Sequence, residues 1–250
     1  MNILLVGLGL ACLAAASGSA QAQSTRLPQD FVALRDVDPT IRQDMRYAGA
    51  NNFTGAPLPG YHGAQCILRR ATAEALKRVQ ADLAPRKLSL VVFDCYRPVR
   101  AVTAMARWAR DGKAPSETEK RFFPSLEKAR LFSLGYIASR SGHSLGVAVD
   151  LSITDLGQPS TPSEDANSTV SCTAPVSERG TSDGLDMGTG FDCFDTRSST
   201  ADPNISGAQR RNRQALLNAM TRHGFKNYPR EWWHFSLASD GATAADFPIP

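Results

Sequence analysis

Apolar and polar positions follow different periods along the chain, and each period predicts an element. Residues 3–16 are almost wholly apolar and show no alternation. Ile41 to Tyr47 reads as a short strand, and residues 51–63, rich in Gly, Pro and Asn, as a loop. Leu68, Thr72, Leu76, Val79 and Leu83 recur at helical spacing, predicting a helix from Leu68 to Leu83 that Pro85 stops. Leu88 to Phe93 is a short apolar run rich in branched residues, which predicts a buried strand. Val99 to Arg110 predicts a helix with Pro98 at its first position, and Ser125 to Leu134 predicts another. The period then changes to two. Val147, Val149, Leu151 and Ile153 alternate with Ala148, Asp150 and Ser152, predicting a strand from Gly146 to Ile153. A long polar segment runs from Thr154 to Asp186, and loops of that length are often functional. Gln209 to His223 predicts the last helix, closed by Gly224 just past its end, and Trp232 to Leu237 the last strand. Strands and helices mix without strict alternation and without an internal repeat. The pattern therefore favours a single α+β domain over a doubly wound parallel sheet.

Composition and charge sharpen this picture in three places. The net charge of +4 is mild, and no basic run is interleaved with aromatics, so nucleic acid is not the expected partner. The apolar start is followed by small residues ending in Ala20-Gln21-Ala22, the small-x-small rule of a signal peptidase site. We expect residues 1–22 to be a cleaved signal peptide and residues 23–250 to form a periplasmic or secreted domain. No Lys or Arg precedes the apolar run, which departs from that pattern, and the competing reading is a membrane anchor. The run is short for a span, and no later segment is long and apolar enough for one. Cleavage removes Cys12 and leaves Cys66, Cys95, Cys172 and Cys193. An even number in an exported protein suggests disulfides, with three possible connectivities. Pairing neighbours gives Cys66–Cys95 and Cys172–Cys193, each worth about 3 kcal/mol in the chain-entropy model. With no CxxC pair, a cysteine zinc site is not expected.

The chemistry concentrates in three blocks. Ser141-Gly142-His143-Ser144-Leu145-Gly146-Val147-Ala148-Val149-Asp150 puts an imidazole near a glycine turn and a carboxylate inside an apolar strand. A charge at Asp150 requires a partner or a metal, and both groups are good zinc ligands. Glu231-Trp232-Trp233-His234 offers a third ligand in His234 and a general base in Glu231. Three protein ligands leave the fourth zinc position open, as catalysis requires. Residues three apart in a regular strand face opposite sides, so the Glu and His can share a site only if the chain bends between them. Asp94-Cys95-Tyr96-Arg97-Pro98 follows a buried strand, where Arg97 is either an oxyanion partner or a structural ion pair. His62, in a Gly/Pro loop, and His223, at a helix end, are left outside the metal site.

The first two blocks together resemble the zinc D,D-peptidases of bacterial cell walls, a clan whose fold is shared with the Hedgehog signalling domain. Asn51-Asn52-Phe53-Thr54-Gly55, Tyr96-Arg97-Pro98 and Met187-Gly188-Thr189-Gly190-Phe191-Asp192 are similar to the D-alanyl-D-alanine dipeptidases of the vancomycin-resistance type. The resemblance spans about residues 35 to 237. It implies a central, mostly antiparallel sheet flanked by helices, a Zn2+ held by His143, Asp150 and His234, and Glu231 as general base and acid. It also implies Arg97 as the partner of the tetrahedral intermediate and Asp192 as the holder of the substrate's free amino group. The same resemblance implies that Ser141 assists and that Tyr47 lines the small side-chain pocket. The implied substrate is the D-Ala-D-Ala dipeptide. The segment from Thr154 to Asp186, with Cys172, is longer than the family pattern needs, which bears on the size of the pocket. Two other readings compete: a zinc D,D-carboxypeptidase or endopeptidase acting on longer wall peptides, and a non-catalytic zinc-bearing wall-binding module. Nothing in the sequence specifies an oligomeric state.

Overall fold

The computed structural model describes residues 27–157, 167–180, 183–238 and 240–250, so the expected signal peptide and its cleavage site lie outside the described residues. The strands are β1 (Phe31–Ala33), β2 (Arg42–Gln43), β3 (Ile67–Arg69), β4 (Leu88–Asp94), β5 (Ala148–Asp155), β6 (Phe225–Asn227) and β7 (His234–Leu237). The helices are α1 (Leu34–Val37), α2 (Arg70–Leu83), α3 (Val99–Trp108), α4 (Glu117–Lys120), α5 (Val176–Arg179) and α6 (Gly207–Arg222). Five strands form one sheet in the order β2-β4-β5-β7-β6, and β1 pairs with β3 in a small separate ribbon. Within the large sheet β2 runs parallel to β4, and every other pair is antiparallel. This is the α+β arrangement expected from the sequence.

The two strands with the clearest apolar pattern, β4 and β5, sit at the centre of that sheet. Leu90, Val92, Leu151 and Ile153 are fully buried there. Helices α2 and α6 touch each other and pack against β4, β5 and β6. They contribute Leu76, Val79, Leu83, Leu216 and Met220 to the same core. Burying each such side chain stabilises the fold by about 1.5–3 kcal/mol. Gln80 is also buried, but its amide is satisfied by Ser89 Oγ at 2.9 Å and by the Leu90 N–H at 2.8 Å. A second, aromatic-rich cluster includes Tyr47, Phe53, Tyr61, Tyr96, Phe123 and Phe194.

Several expected boundaries move. The helix expected over 125–134 is a 3-10 turn at Lys128–Arg130 within a string of turns. Tertiary contacts outweigh its helical pattern: buried Lys128 bonds Asp111 at 2.9 Å and lies over the Trp108 ring, while Leu131 enters the aromatic cluster. The strand expected to reach Tyr47 ends at Gln43, and Tyr47 lies in a 3-10 turn, Arg46–Ala48. Pro98 caps α3 from outside its first turn. The last strand starts at His234 rather than Trp232. The central strand runs on to Asp155, and the polar segment after it contains α5.

Candidate metal centre

Strand register builds the site. The β4–β5 pairing is regular through Val92 opposite Leu151, then shifts so that Asp94, not Phe93, faces Asp150. Such a bulge re-aims the side chains beyond it. Asp150 in turn faces His234 across the β5–β7 pair. One row across three strands thus carries two carboxylates and an imidazole. His143 joins them from the 3-10 turn Gly142–Leu145, just before β5. Ser141 caps that turn, its Oγ accepting the His143 N–H at 3.2 Å. Gly146 ends the turn at φ +73°, and a Cβ there would collide with the Phe31 ring, so glycine is required twice over.

The ligand atoms converge. His143 Nδ1 lies 2.7 Å from the Cys95 carbonyl oxygen. A carbonyl only accepts, so Nδ1 carries the proton and Nε2 keeps a lone pair. That Nε2 faces His234 Nδ1 at 3.2 Å and Asp150 Oδ1 at 3.3 Å. Asp150 Oδ1 and His234 Nδ1 are 2.9 Å apart. One donor atom from each of the three residues lies within 4.8 Å of the others. Two imidazole nitrogens and a carboxylate oxygen gathered at one point can hold a cation, and that donor set suits zinc. Burial alone would raise the Asp150 carboxyl, but the two histidines outweigh it and hold it well below the usual carboxylate range.

Glu231 and Arg97 flank this point in a cleft of about 230 Å³. Glu231 lies in a turn before β7, its N–H donating to the Tyr228 carbonyl at 3.0 Å and its own carbonyl accepting the His234 N–H at 3.3 Å. The bend expected inside a strand is therefore a complete turn. It brings Glu231 Oε2 to 3.9 Å from His234 Nδ1. Burial pushes the Glu231 carboxyl up to about 7. Arg97 Nε and one terminal nitrogen both reach Asp94 Oδ2 at 2.8 Å, and that nitrogen lies 3.5 Å from Asp150 Oδ2. The guanidinium also sits over the Tyr47 ring, 4.8 Å from its centre. Arg97 is thus both a partner of a buried carboxylate and part of the cleft wall. Asp192 lines the cleft as well, and its Oδ2 accepts the Tyr47 hydroxyl at 2.6 Å. Its backbone is left-handed, with φ +60°. Burial pushes its carboxyl well above the ordinary value, and the Asp150 charge adds to the shift.

A family model described as D-ala-D-ala dipeptidase, peptidase M15, matches residues 28–161 and 155–248. The chain belongs to the D-Ala-D-Ala dipeptidase family. A D-alanyl-D-alanine dipeptidase of Enterococcus faecalis is 33% identical, over 84% of this chain and 92% of the relative. One from Streptomyces coelicolor is 32% identical, over 88% of this chain and 98% of the relative. Among solved structures, the vancomycin-resistance D,D-pentapeptidase VanY in complex with Zn(II) matches at 15% identity and TM-score 0.38, covering 73% of this chain and 78% of that one.

In this member of the dipeptidase family the structure brings together the catalytic, metal and substrate candidates singled out from the sequence. His143, Asp150, His234, Glu231, Arg97, Asp192, Ser141 and Tyr47 all line one cleft. Cys66–Cys95 and Cys172–Cys193 are both bonded, with Cα atoms 5.2 and 5.5 Å apart. His223 lies elsewhere, 2.9 Å from Asp82. Sequence reasoning missed two residues. Asp94 is fully buried and holds Arg97, and its Oδ2 lies 3.3 Å from His143 Nδ1. It carried the same signal as Asp150, a carboxylate on an apolar strand. Tyr61 donates its hydroxyl to Asp94 Oδ1 at 2.6 Å. Nothing in its Gly/Pro loop marked it.

Proposed function

We propose that this chain is a zinc D-Ala-D-Ala dipeptidase working outside the cytoplasm. The observation that carries the reading is the convergence of His143, Asp150 and His234 on one point beside a buried, proton-competent Glu231. Among the described residues, Asp94, Asp150, Asp192 and Glu231 outnumber the two guanidiniums, Arg97 and Arg140, in and beneath the cleft. That imbalance favours a dication and an ammonium as ligands. His143 Nε2, His234 Nδ1 and an Asp150 carboxylate oxygen are the atoms that would hold zinc. When bound, zinc supplies a Lewis acid for the scissile carbonyl and lowers the pKa of water beside it. Glu231 takes the proton of the attacking water and returns it to the leaving amine. Arg97, fixed by Asp94, offers positive charge where the carbonyl oxygen becomes negative. Asp192 pairs with the substrate's free ammonium, a charge-assisted contact that an N-terminally extended peptide lacks. The signal-peptide pattern of residues 1–22 and the two disulfides support export to an oxidising compartment.

A substrate panel tests this reading. D-Ala-D-Ala, its L,D and L,L counterparts and short muropeptides are assayed with and without a chelator. The expected result is chelator-sensitive hydrolysis that prefers the free D,D-dipeptide. Preference for muropeptides would identify a carboxypeptidase or endopeptidase, and tight muropeptide binding without hydrolysis a binding module.

A further inference from the structure

Part of the long polar segment after β5 grips the loop that carries Asp192. The Gly190 N–H donates to the Cys172 carbonyl at 2.8 Å. The Phe191 N–H donates to Asp183 Oδ2 at 2.9 Å. Cys193 is bonded to Cys172. Residues on both sides of Asp192 are therefore tied to this segment, and the segment is itself anchored. Asp183 Oδ1 accepts Arg46 at 2.7 Å, and the Cys172 N–H donates to the Arg121 carbonyl at 2.9 Å.

Asp192 needs such a grip. Its φ of +60° lies in a region that side chains with a Cβ seldom adopt, and a residue persists there only when its surroundings over-determine it. A return to negative φ would carry the carboxylate away from the Tyr47 hydroxyl and out of its place in the cleft. The ends of the loop are secured separately. Buried Arg213 donates to the carbonyls of Met187, Arg197 and Ser199 at 2.7, 2.7 and 2.5 Å. Opening the crosslink would therefore loosen the middle of the loop and leave its ends in place.

We propose that the Cys172–Cys193 disulfide is a positioning element for Asp192. It sets the enzyme's affinity for substrates with a free amino terminus and does not act on the metal ligands or Glu231. This rests on the reading of Asp192 as the ammonium partner. The other disulfide serves the other half of the site. Cys95 is bonded to Cys66, and its carbonyl takes the Nδ1 proton of His143. The two crosslinks thus divide the cleft into a metal half and an amino-group half.

The test compares the zinc-loaded wild type, the Cys172→Ala/Cys193→Ala double variant and Asp192→Asn on D-Ala-D-Ala and on N-acetyl-D-Ala-D-Ala. In the double variant KM for the free dipeptide should rise about tenfold, and preference over the acetylated compound should fall by a similar factor. Its kcat should stay within about twofold and its zinc content should not change. Asp192→Asn should show the same kind of loss, at least as large. Wild-type KM and preference in the double variant, beside a clear loss in Asp192→Asn, would reduce the disulfide to a stabiliser and overturn the inference alone. Unchanged KM and preference in Asp192→Asn would remove the Asp192 reading and the inference with it. If the double variant does not fold, a phosphine reductant on folded wild type replaces it. Cys66, Cys95 and Cys193 are 0% exposed and Cys172 is 6% exposed, so the second disulfide should open first, through Cys172, as alkylation and mass spectrometry can establish. The same shift in KM and preference is expected then, and wild-type kinetics with that bond open would overturn the proposal.

Discussion

Replacing Asp94 with asparagine would remove one charge and keep the shape. Asp94 holds Arg97 through two contacts of 2.8 Å and lies 3.3 Å from the Nδ1 of His143. Carboxylates behind a ligand histidine raise its basicity, and losing one typically weakens metal binding about 10–100-fold. Asp94→Asn should therefore lower zinc affinity by that order and also reduce kcat, as read by competition with a chelating dye and by steady-state kinetics. Wild-type zinc affinity in a folded variant would contradict this role. As the proposed base, Glu231 should set the pH dependence. Burial raises its carboxyl to about 7, and a nearby dication draws it back down. A base works deprotonated, so activity should be lost as pH falls, along a limb between the ordinary carboxylate value and about 7. A kcat/KM profile flat from about pH 4 to 8 would rule Glu231 out as that base. At this scale the sequence was most informative where a residue broke its local pattern. Asp150 interrupts an apolar strand, and a histidine beside a glycine turn stands out. Tyr61 breaks no pattern, so its bond to Asp94 appears only once the loop is folded over the sheet.

Elements decide which way those residues point. A strict two-residue period through β4 would set Phe93 opposite Asp150, and the bulge replaces it with Asp94. Glu231 and His234 meet through a turn, not through a bend within a strand. Neither feature has a sequence signature of its own, because each follows from pairing between distant segments. The segment at 125–134 teaches the same point from the other side. Its helical spacing is real, but the pull of Asp111 and Trp108 on Lys128 decides its conformation. The turn before β5 was legible through its glycine. Gly146→Ala would meet both a positive φ and the Phe31 ring. Strain of this kind costs about 1–3 kcal/mol. The variant should lose that much stability in urea unfolding and should bind zinc more weakly, because the turn places His143. A variant with wild-type stability and zinc affinity would show that the turn has slack.

For the whole molecule, the fold class followed from mixed periods, and the sheet order did not. The order β2-β4-β5-β7-β6 puts three strands separated by long stretches of chain side by side, and Asp150 and His234 of the candidate metal centre lie along that line. Both disulfides were legible as neighbouring pairs, consistent with an oxidising compartment. The proposed export makes a direct prediction. Expressed with residues 1–22 in place, the protein should be recovered outside the cytoplasm with Gln23 at its amino terminus, as N-terminal sequencing would read. Recovery of uncleaved chain in membranes would instead mark residues 1–22 as an anchor. The central claim is that His143, Asp150 and His234 hold zinc while Glu231 moves the proton, and Glu231→Ala separates the two roles most directly. Zinc content and D-Ala-D-Ala turnover are measured on the same purified variant. With the roles divided in this way, zinc occupancy should stay at the wild-type level while turnover falls by about 10²–10⁴. A zinc-loaded variant that hydrolyses the dipeptide at the wild-type rate would contradict it.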